Sequence, residues 1–508
     1  MSTTSIKRDL TSIINTLVDQ KVVSGMGAKE LALLSNMLGR MDERNGAIVS
    51  EIADRINALT VDASIKDLLF LALGADFTTT DRSFYINTVA DLPDISDPDI
   101  SDLYRGSVFF IRENASFVFC GNQRWVGFDG RVLVSYFIAG QAYAWGSGSR
   151  LGHGTTISQS APVSVAGNIN TWQSINTFSN HMLARTRDGI GWAWGSNNSG
   201  RLGDGTTQNR SSPVSIVGVA DWRALIPTTN GSFGIREEDG SLWGWGRNMG
   251  GYIGDGTTIA KSSPVSVLGP LTDVVSVSSS YGTASAVLAD GSLWGWGYNQ
   301  YNTLGNGDPP GGSFLSPISI PFFSDWAEVA SGGCHVIARR GDGTLWSWGS
   351  QDAPIWMGTT GSLGDGTVLS RSSPVSVLGG FTDWKQITAN SGVSGGLREN
   401  GTLWAWGWNN YNGIGYGVLG DGTTEARSSP VSVIGGFTDW ADCSFGFSGA
   451  LAIREDGTLW GWGYNSNGEV GDGTFDYRSS PVSVVGGFTD WTDCAAGWSM
   501  AAIREFPA

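Results

Sequence analysis

The side chains best suited to chemistry are few in this sequence and stand far apart. There are three histidines, His153, His181 and His335, and four cysteines, Cys120, Cys334, Cys443 and Cys494. Cys334 beside His335 invites a nucleophile and its base, but adjacent residues of a strand point to opposite faces. His153 has no metal-ligand neighbour, and no His-x-x-x-His, Cys-x-x-Cys, Gly-Lys-Ser/Thr or serine-elbow motif occurs. Five aspartates, Asp204, Asp255, Asp365, Asp421 and Asp472, recur in Gly-Asp-Gly-Thr loops. One carboxylate per loop is too few for calcium, which takes about six to eight oxygens. An Asx-type turn closed onto the cation ahead of Ser-Ser-Pro (Arg210, Lys261, Arg371, Arg427, Arg478) fits better. The expectation is no metal, no cofactor and no catalytic residues. Carboxylates converging from distant segments, as in a glycosidase, are the one catalytic arrangement that spacing leaves open.

The elements that must carry these residues are repeats. A Leu-Trp-x-Trp-Gly pattern appears as Tyr143/Trp145, Trp192/Trp194, Trp243/Trp245, Trp294/Trp296, Trp346/Trp348, Trp404/Trp406 and Trp460/Trp462. Successive copies are 49, 51, 51, 52, 58 and 56 residues apart. Aromatics at i and i+2 share one face of a strand, with a small residue facing the other way. Each copy runs on through a Gly/Asn-rich turn, Leu-Gly-Asp-Gly-Thr, Arg-Ser-Ser-Pro-Val, Asp-Trp and a strand ending at Asp-Gly, as in Leu202 to Gly240. Four short strands per ~50 residues is the sequence form of a propeller blade. The first copy lacks the two strands that should precede Gln141 to Trp145, and Asp490 to Glu505 supplies two strands and stops. Pairing the two ends in one blade leaves no open edge, so seven aromatic strands predict a seven-bladed, end-to-end closed β-propeller over 141–508. Cys443 and Cys494 fill the same slot of successive repeats, too far apart for a bridge needing Cα atoms within ~7 Å. Buried free thiols are expected there.

Trp-x-Trp-Gly, Leu-Gly-Asp-Gly-Thr, Ser-Pro-Val and Asp-Trp at this period resemble the repeats of the regulator of chromosome condensation family. The resemblance implies the propeller fold. It also implies either nucleotide exchange on a Ran-type GTPase or, as for many members, a binding scaffold. The chromatin-bound members carry basic tails, whereas this chain has 47 acidic against 31 basic residues and a net charge of −16. Such a balance argues against binding nucleic acid through its phosphates.

Irregularity marks the candidate binding residues. Copies four, five and six carry unusual stretches after the aromatic strand: Tyr298 to Phe314, Ser350 to Ser362 and Trp408 to Val418. Loops at equivalent positions emerge on one face, and consecutive copies make one patch. They bring Tyr298, Tyr301, Trp356, Trp408, Tyr411 and Tyr416, which the repeat does not require. Flat apolar rings among Asn and Gly suit a glycan or a protein surface. Mutual packing of the loops is the competing explanation.

The first 140 residues differ in composition. Leu34, Leu38, Met41, Ile48, Ile52 and Leu59 follow a seven-residue frame, so 1–75 is expected to be helical and to drive self-association, with a trimer favoured. A small helical domain with an ordinary core is the alternative. Residues 76–140 read as a β-rich neck with strands near 107–111, 116–120 and 124–128. Its Gly-Ser-Val-Phe-Phe-Ile, Phe-Val-Phe and Arg-Trp-Val-Gly-Phe-Asp-Gly-Arg elements resemble modules of tail and fibre proteins of tailed bacteriophages. That resemblance implies a virion location, attachment to other tail or baseplate proteins through residues 1–140, and a host surface glycan or protein as the propeller's target. No apolar run is long enough to span a membrane. The leading expectation is therefore a non-enzymatic virion adhesin. The alternatives are a scaffold for a protein partner such as a GTPase and, third, a glycan-cleaving enzyme.

Overall fold

A computed structural model describes residues 138–507 except 230, 352–360, 412–413 and 448, together with four short strands nearer the N-terminus. The helical expectation for 1–75 lies outside the described residues. Within the neck, Val108–Ile111, Ser116–Gly121 and Arg124–Gly127 form an antiparallel meander close to the expected positions, and Tyr85–Ile86 joins its edge in parallel.

The seven repeats form seven four-stranded antiparallel sheets, numbered here by their aromatic strand. Blade two shows the pattern: Trp172–Thr177, His181–Thr186, Gly191–Gly195 and Arg210–Ser215, each paired with the next. Blade one closes the ring as the chain ends require. Its first strands are Trp491–Ala496 and Ser499–Pro507, and its last are Ile138–Gly146 and Gln159–Ser164. The seam runs in unbroken register from Ser499 opposite Gly146 to Pro507 opposite Ile138.

The motifs resolve into packing rules. The second Trp of each pair is fully buried and points into the preceding blade. In six of the seven its indole N–H donates to a carbonyl there, for example Trp245 Nε1 to Arg201 O at 2.9 Å and, across the seam, Trp145 Nε1 to Glu469 O at 2.9 Å; the Trp194 N–H has no such acceptor. The Leu-Gly of the loop exists for this contact: a Cβ on Gly203, which has φ of +71°, would lie 2.8 Å from Trp245 Nε1. Ser-Ser-Pro occupies a register shift between the third and fourth strands, where the outer strand tolerates a residue without an N–H. The Asp of Asp-Trp receives the arginine ending the second strand, as in Arg398 with Asp383 at 2.8 Å and Arg454 with Asp439 at 2.6 Å.

First strands stand side by side around the axis and are stitched together by side chains reaching neighbouring backbone. Asp493 Oδ2 accepts from Ile175 N at 2.7 Å, Ser278 Oγ from Ser331 N at 2.8 Å, and Ser444 Oγ from Ala496 N at 2.9 Å. The fourth strands, half-exposed, form the rim. Cys334, Cys443 and Cys494 are buried free thiols.

Candidate functional site

In each antiparallel blade the turn between strands one and two and the loop between strands three and four emerge on the same face. This loop face is where the irregular stretches lie. Most of each loop is devoted to holding itself. Thr206 N donates to Asp204 Oδ1 at 3.0 Å, and Arg210 Nε to Oδ2 at 2.9 Å, which is the Asx turn and ion pair expected from sequence. Burial raises the Asp204 pKa, but the bonds from Arg210 and Thr206 outweigh burial and hold the carboxyl below its ordinary value. Beneath it sits a residue the sequence reading missed. Asn248 is 1% exposed and donates to Asp255 Oδ1 (2.9 Å) and Thr257 O (3.0 Å), while its Oδ1 accepts from Ile253 N (2.9 Å). Asn197 and Asn465 repeat the arrangement. An Asn or Gln three residues after the second Trp, in six copies of seven, was the available signal.

His181, His335 and the three described cysteines are structural. His335 Nε2 lies 2.8 Å from Ser394 Oγ, whose hydroxyl donates to Ser362 O at 2.9 Å; His181, Ser232 and Arg201 O repeat this three blades earlier on the ring. Each serine proton is committed to a carbonyl, so neither serine is poised as a nucleophile. Burial pushes His335 down to about 4 and the Cys334 thiol up to about 12, the reverse of an activated pair. No group of three or more His, Cys, Asp or Glu able to hold a metal occurs among the described residues.

On the axis, burial first and then the Asp442 carboxylate push Asp493 up to about 7. A carboxyl raised in the folded state binds its proton more tightly than the unfolded chain does. Its contribution is therefore fully present below about pH 4 and lost as pH rises through 7. Buried His335 acts oppositely, weakening the fold as pH falls from 6.5 toward 4. Asp493→Asn keeps an acceptor for Ile175 N. Relative to wild type it should gain roughly 2 kcal/mol between pH 5 and pH 8, read from thermal unfolding at both values. Parallel pH profiles for the two proteins would refute this.

The aromatic candidates separate. Trp408 is 2% exposed and Tyr416 8%, both in a core cluster with Val418, Val433 and Phe445. They are corrected from ligand platforms to packing residues. The longer blade-six loop folds back, setting Trp408 against Phe447 (ring centroids 5.7 Å) and Tyr416 (5.3 Å) in the gap toward blade seven. Tyr411 is described by its backbone alone, pairing with Ile414 in a two-residue hairpin, and Trp356 lies outside the described residues.

Tyr298 and Tyr301 are half-buried on the loop face and are joined by Tyr252 and Tyr281, which sequence reasoning had not selected. A Cβ on Gly250 would lie 2.9 Å from Tyr298 Cβ and 3.2 Å from Tyr252 Cε1, and one on Gly333 would lie 2.9 Å from Tyr281 Cε2. Burial pushes the Tyr281 phenol up to about 12, with Cys334 adding to the shift, and burial together with Cys334 and Tyr252 raises Tyr301. Two consecutive blades, three and four, thus bring four tyrosines together. Across the face, Trp498 is 40% exposed and stacked on Phe447 at 4.2 Å and 6°, with the Arg150 guanidinium 5.5 Å from its ring. Trp498 was legible as one of four tryptophans outside repeat slots.

Comparison with known proteins agrees with this geometry. The family model described as "RCC1-like domain" matches residues 141–503. The chain is 27% identical over 366 residues to the ultraviolet-B receptor UVR8 of Arabidopsis thaliana, covering 67% of this chain and 77% of that one. It is 28% identical over 388 residues to the human E3 ubiquitin-protein ligase HERC2, covering 73% of this chain but only 8% of the ligase. Among solved structures, Prp20p of Saccharomyces cerevisiae superposes with a TM-score of 0.61 at 19% identity, covering 73% of this chain and 93% of that one. Human WBSCR16 gives 0.60 at 17%, covering 72% and 98%. At such identities the superpositions speak for the fold alone. Seven closed blades, the repeat motifs and the family match over the whole propeller together show that this chain belongs to the RCC1-like domain family.

Proposed function

We propose that the protein is a non-enzymatic scaffold that holds a protein partner on the loop face of its propeller. The observation that carries this reading is the convergence of Tyr252, Tyr281, Tyr298 and Tyr301 at positions where the repeat is not kept. Half-exposed tyrosines and one exposed Trp are what protein interfaces use as anchors, since rigid rings add contact area at small entropic loss. Relatives support a protein as the partner: Prp20 forms a complex with Kap60, and Prp20p binds Gsp1p and histones. HERC2 lends no ligase chemistry, because the match spans so little of it. A GTPase is one partner class to be tried, by nucleotide exchange. A host surface glycan, presented by a virion adhesin mounted through residues 1–140, is the competing target.

Tyr301→Ala and Trp498→Ala are each expected to weaken partner binding by about tenfold or more while leaving the unfolding temperature nearly unchanged. Undiminished protein binding by both folded variants, or binding only to a glycan array, would sink the proposal.

A further inference from the structure

The cations of this propeller are mostly accounted for. The rim cations Arg210, Lys261, Arg371, Arg427 and Arg478 each face their loop aspartate, and Arg236, Arg340, Arg398, Arg454 and Arg504 face the aspartate ahead of the first strand. Arg201 and Arg247, in the loops of blades two and three, break the rule, as do Arg150, Arg185 and Arg223 elsewhere, but among the described residues only these two stand as neighbours. Arg201 is only 8% exposed, yet its bonds go to the neutral carbonyls Asn198 O (3.2 Å) and Thr229 O (3.3 Å). Arg247 reaches Met249 Sδ at 3.7 Å. Neither has an ion-pair partner among the described residues. A charged side chain this buried is ordinarily paired, because desolvation without a counter-charge is unfavourable. The two also act on each other: burial lowers the Arg201 pKa and the Arg247 guanidinium lowers it further. Carboxylates are not scarce in a chain of net charge −16, so two like charges left together are a local exception.

Their position ties them to the tyrosines. Arg201 precedes Leu202-Gly203, and the residue in that slot of blade three is Tyr252; blade one has Arg150 there and blade seven Glu469. The slot's carbonyl serves the fold by accepting the next blade's indole, as Arg201 O and Tyr252 O do at 2.9 and 3.0 Å. Its side chain is free to differ: arginine in blades one and two, tyrosine in blade three and glutamate in blade seven. Burial raises the Tyr252 phenol while Arg247 acts against the rise, so the basic pair adjoins the tyrosine group.

We propose that Arg201 and Arg247, flanked by Tyr252, receive an acidic segment of the protein partner, with Asp or Glu carboxylates completing the charge pairing this chain leaves open. This rests on the docking reading above and adds the partner's chemistry. Guanidinium–carboxylate pairs form in fork geometry and gain strength where water is excluded, and adjacent phenols supply both apolar face and hydroxyl. Nucleic acid fits less well, since two guanidiniums release few counterions and the chain's overall charge repels a polyphosphate.

The test uses the full chain and fluorescence anisotropy with three labelled probes: a short peptide alternating Glu and Leu, its Lys counterpart, and oligothymidylate. The Glu peptide should bind at low salt, weaken at high salt and bind better than the other two. Arg247→Glu should reduce its affinity by about tenfold or more, with Arg454→Gln on the opposite face unchanged. Arg201→Gln should act likewise, and the half-buried Arg247 keeps the test valid if that variant fails to fold. Absence of Glu-peptide binding at low salt, equal binding by Arg247→Glu, or tighter binding of oligothymidylate would overturn the assignment. If a partner still docks through Tyr301 and Trp498 while the Glu peptide is ignored, the charge assignment alone has failed. If the Glu peptide binds but no partner depends on those rings, the docking reading has failed instead.

Discussion

Removing residues 491–507 is expected to abolish cooperative folding of the whole propeller, not of blade one alone. These residues supply the first two strands of that blade and its buried Trp491, Met500, Ala501, Ala502 and Ile503. Without them Ile138–Gly146 loses its partner along the full seam, and blades two and seven each expose a face built to be covered. Burial of the larger side chains contributes roughly 2 kcal/mol each, so their sum approaches the ~5–15 kcal/mol that holds a typical domain folded. Two open edges would then favour aggregation. Near-ultraviolet circular dichroism and thermal unfolding read the outcome, and a peptide spanning 488–507 added in trans should restore part of the signal. A truncated chain that still melts in one sharp transition near the wild-type temperature would show that the closing blade is an ornament.

Asn248→Ala is expected to destabilise the protein by about 3 kcal/mol, more than most single substitutions on a loop. Its amide is buried and joins four segments of the blade-three loop, through Asp255, Thr257, Ile259 and Ile253. Truncation strands the Ile253 N–H and two carbonyls out of contact with water, and the Asp255–Lys261 pair loses its floor. Asn248→Asp should be nearly as harmful, because the donor facing Asp255 becomes a second carboxylate. The comparison of Ala, Asp and wild type in urea unfolding checks this; a loss below about 1 kcal/mol for Ala would mean water replaces the amide.

The fold was legible because its determinants repeat. Seven paired aromatics counted the blades, and the incomplete first and last copies foretold the seam between Ile138–Gly146 and Ser499–Pro507. The site was legible only in outline. Position along the repeat places a loop on a face, and so Tyr298 and Tyr301 were found. Burial depends on what a distant blade presents, and no local pattern shows that Phe447 covers Trp408 or that the blade-six loop turns Tyr416 inward. Tyr252 and Arg201 were passed over because they sit inside well-kept motifs, where a side chain can vary while its carbonyl keeps a fixed duty. The buried Asn layer escaped for the opposite reason, since a polar residue in a turn reads as solvent-facing until its bonds are seen.

The proposed docking surface is one face of a ring whose other surfaces serve stability. Photo-crosslinking amino acids at Gln300 on the loop face and at Asp342 on the opposite face, introduced one at a time into the full chain in its native cell, test this most directly. Adducts to a common protein from position 300 and not from 342, lost on adding Tyr301→Ala, are the predicted result. The same adduct from position 342 alone, or from both positions regardless of Tyr301, would contradict it.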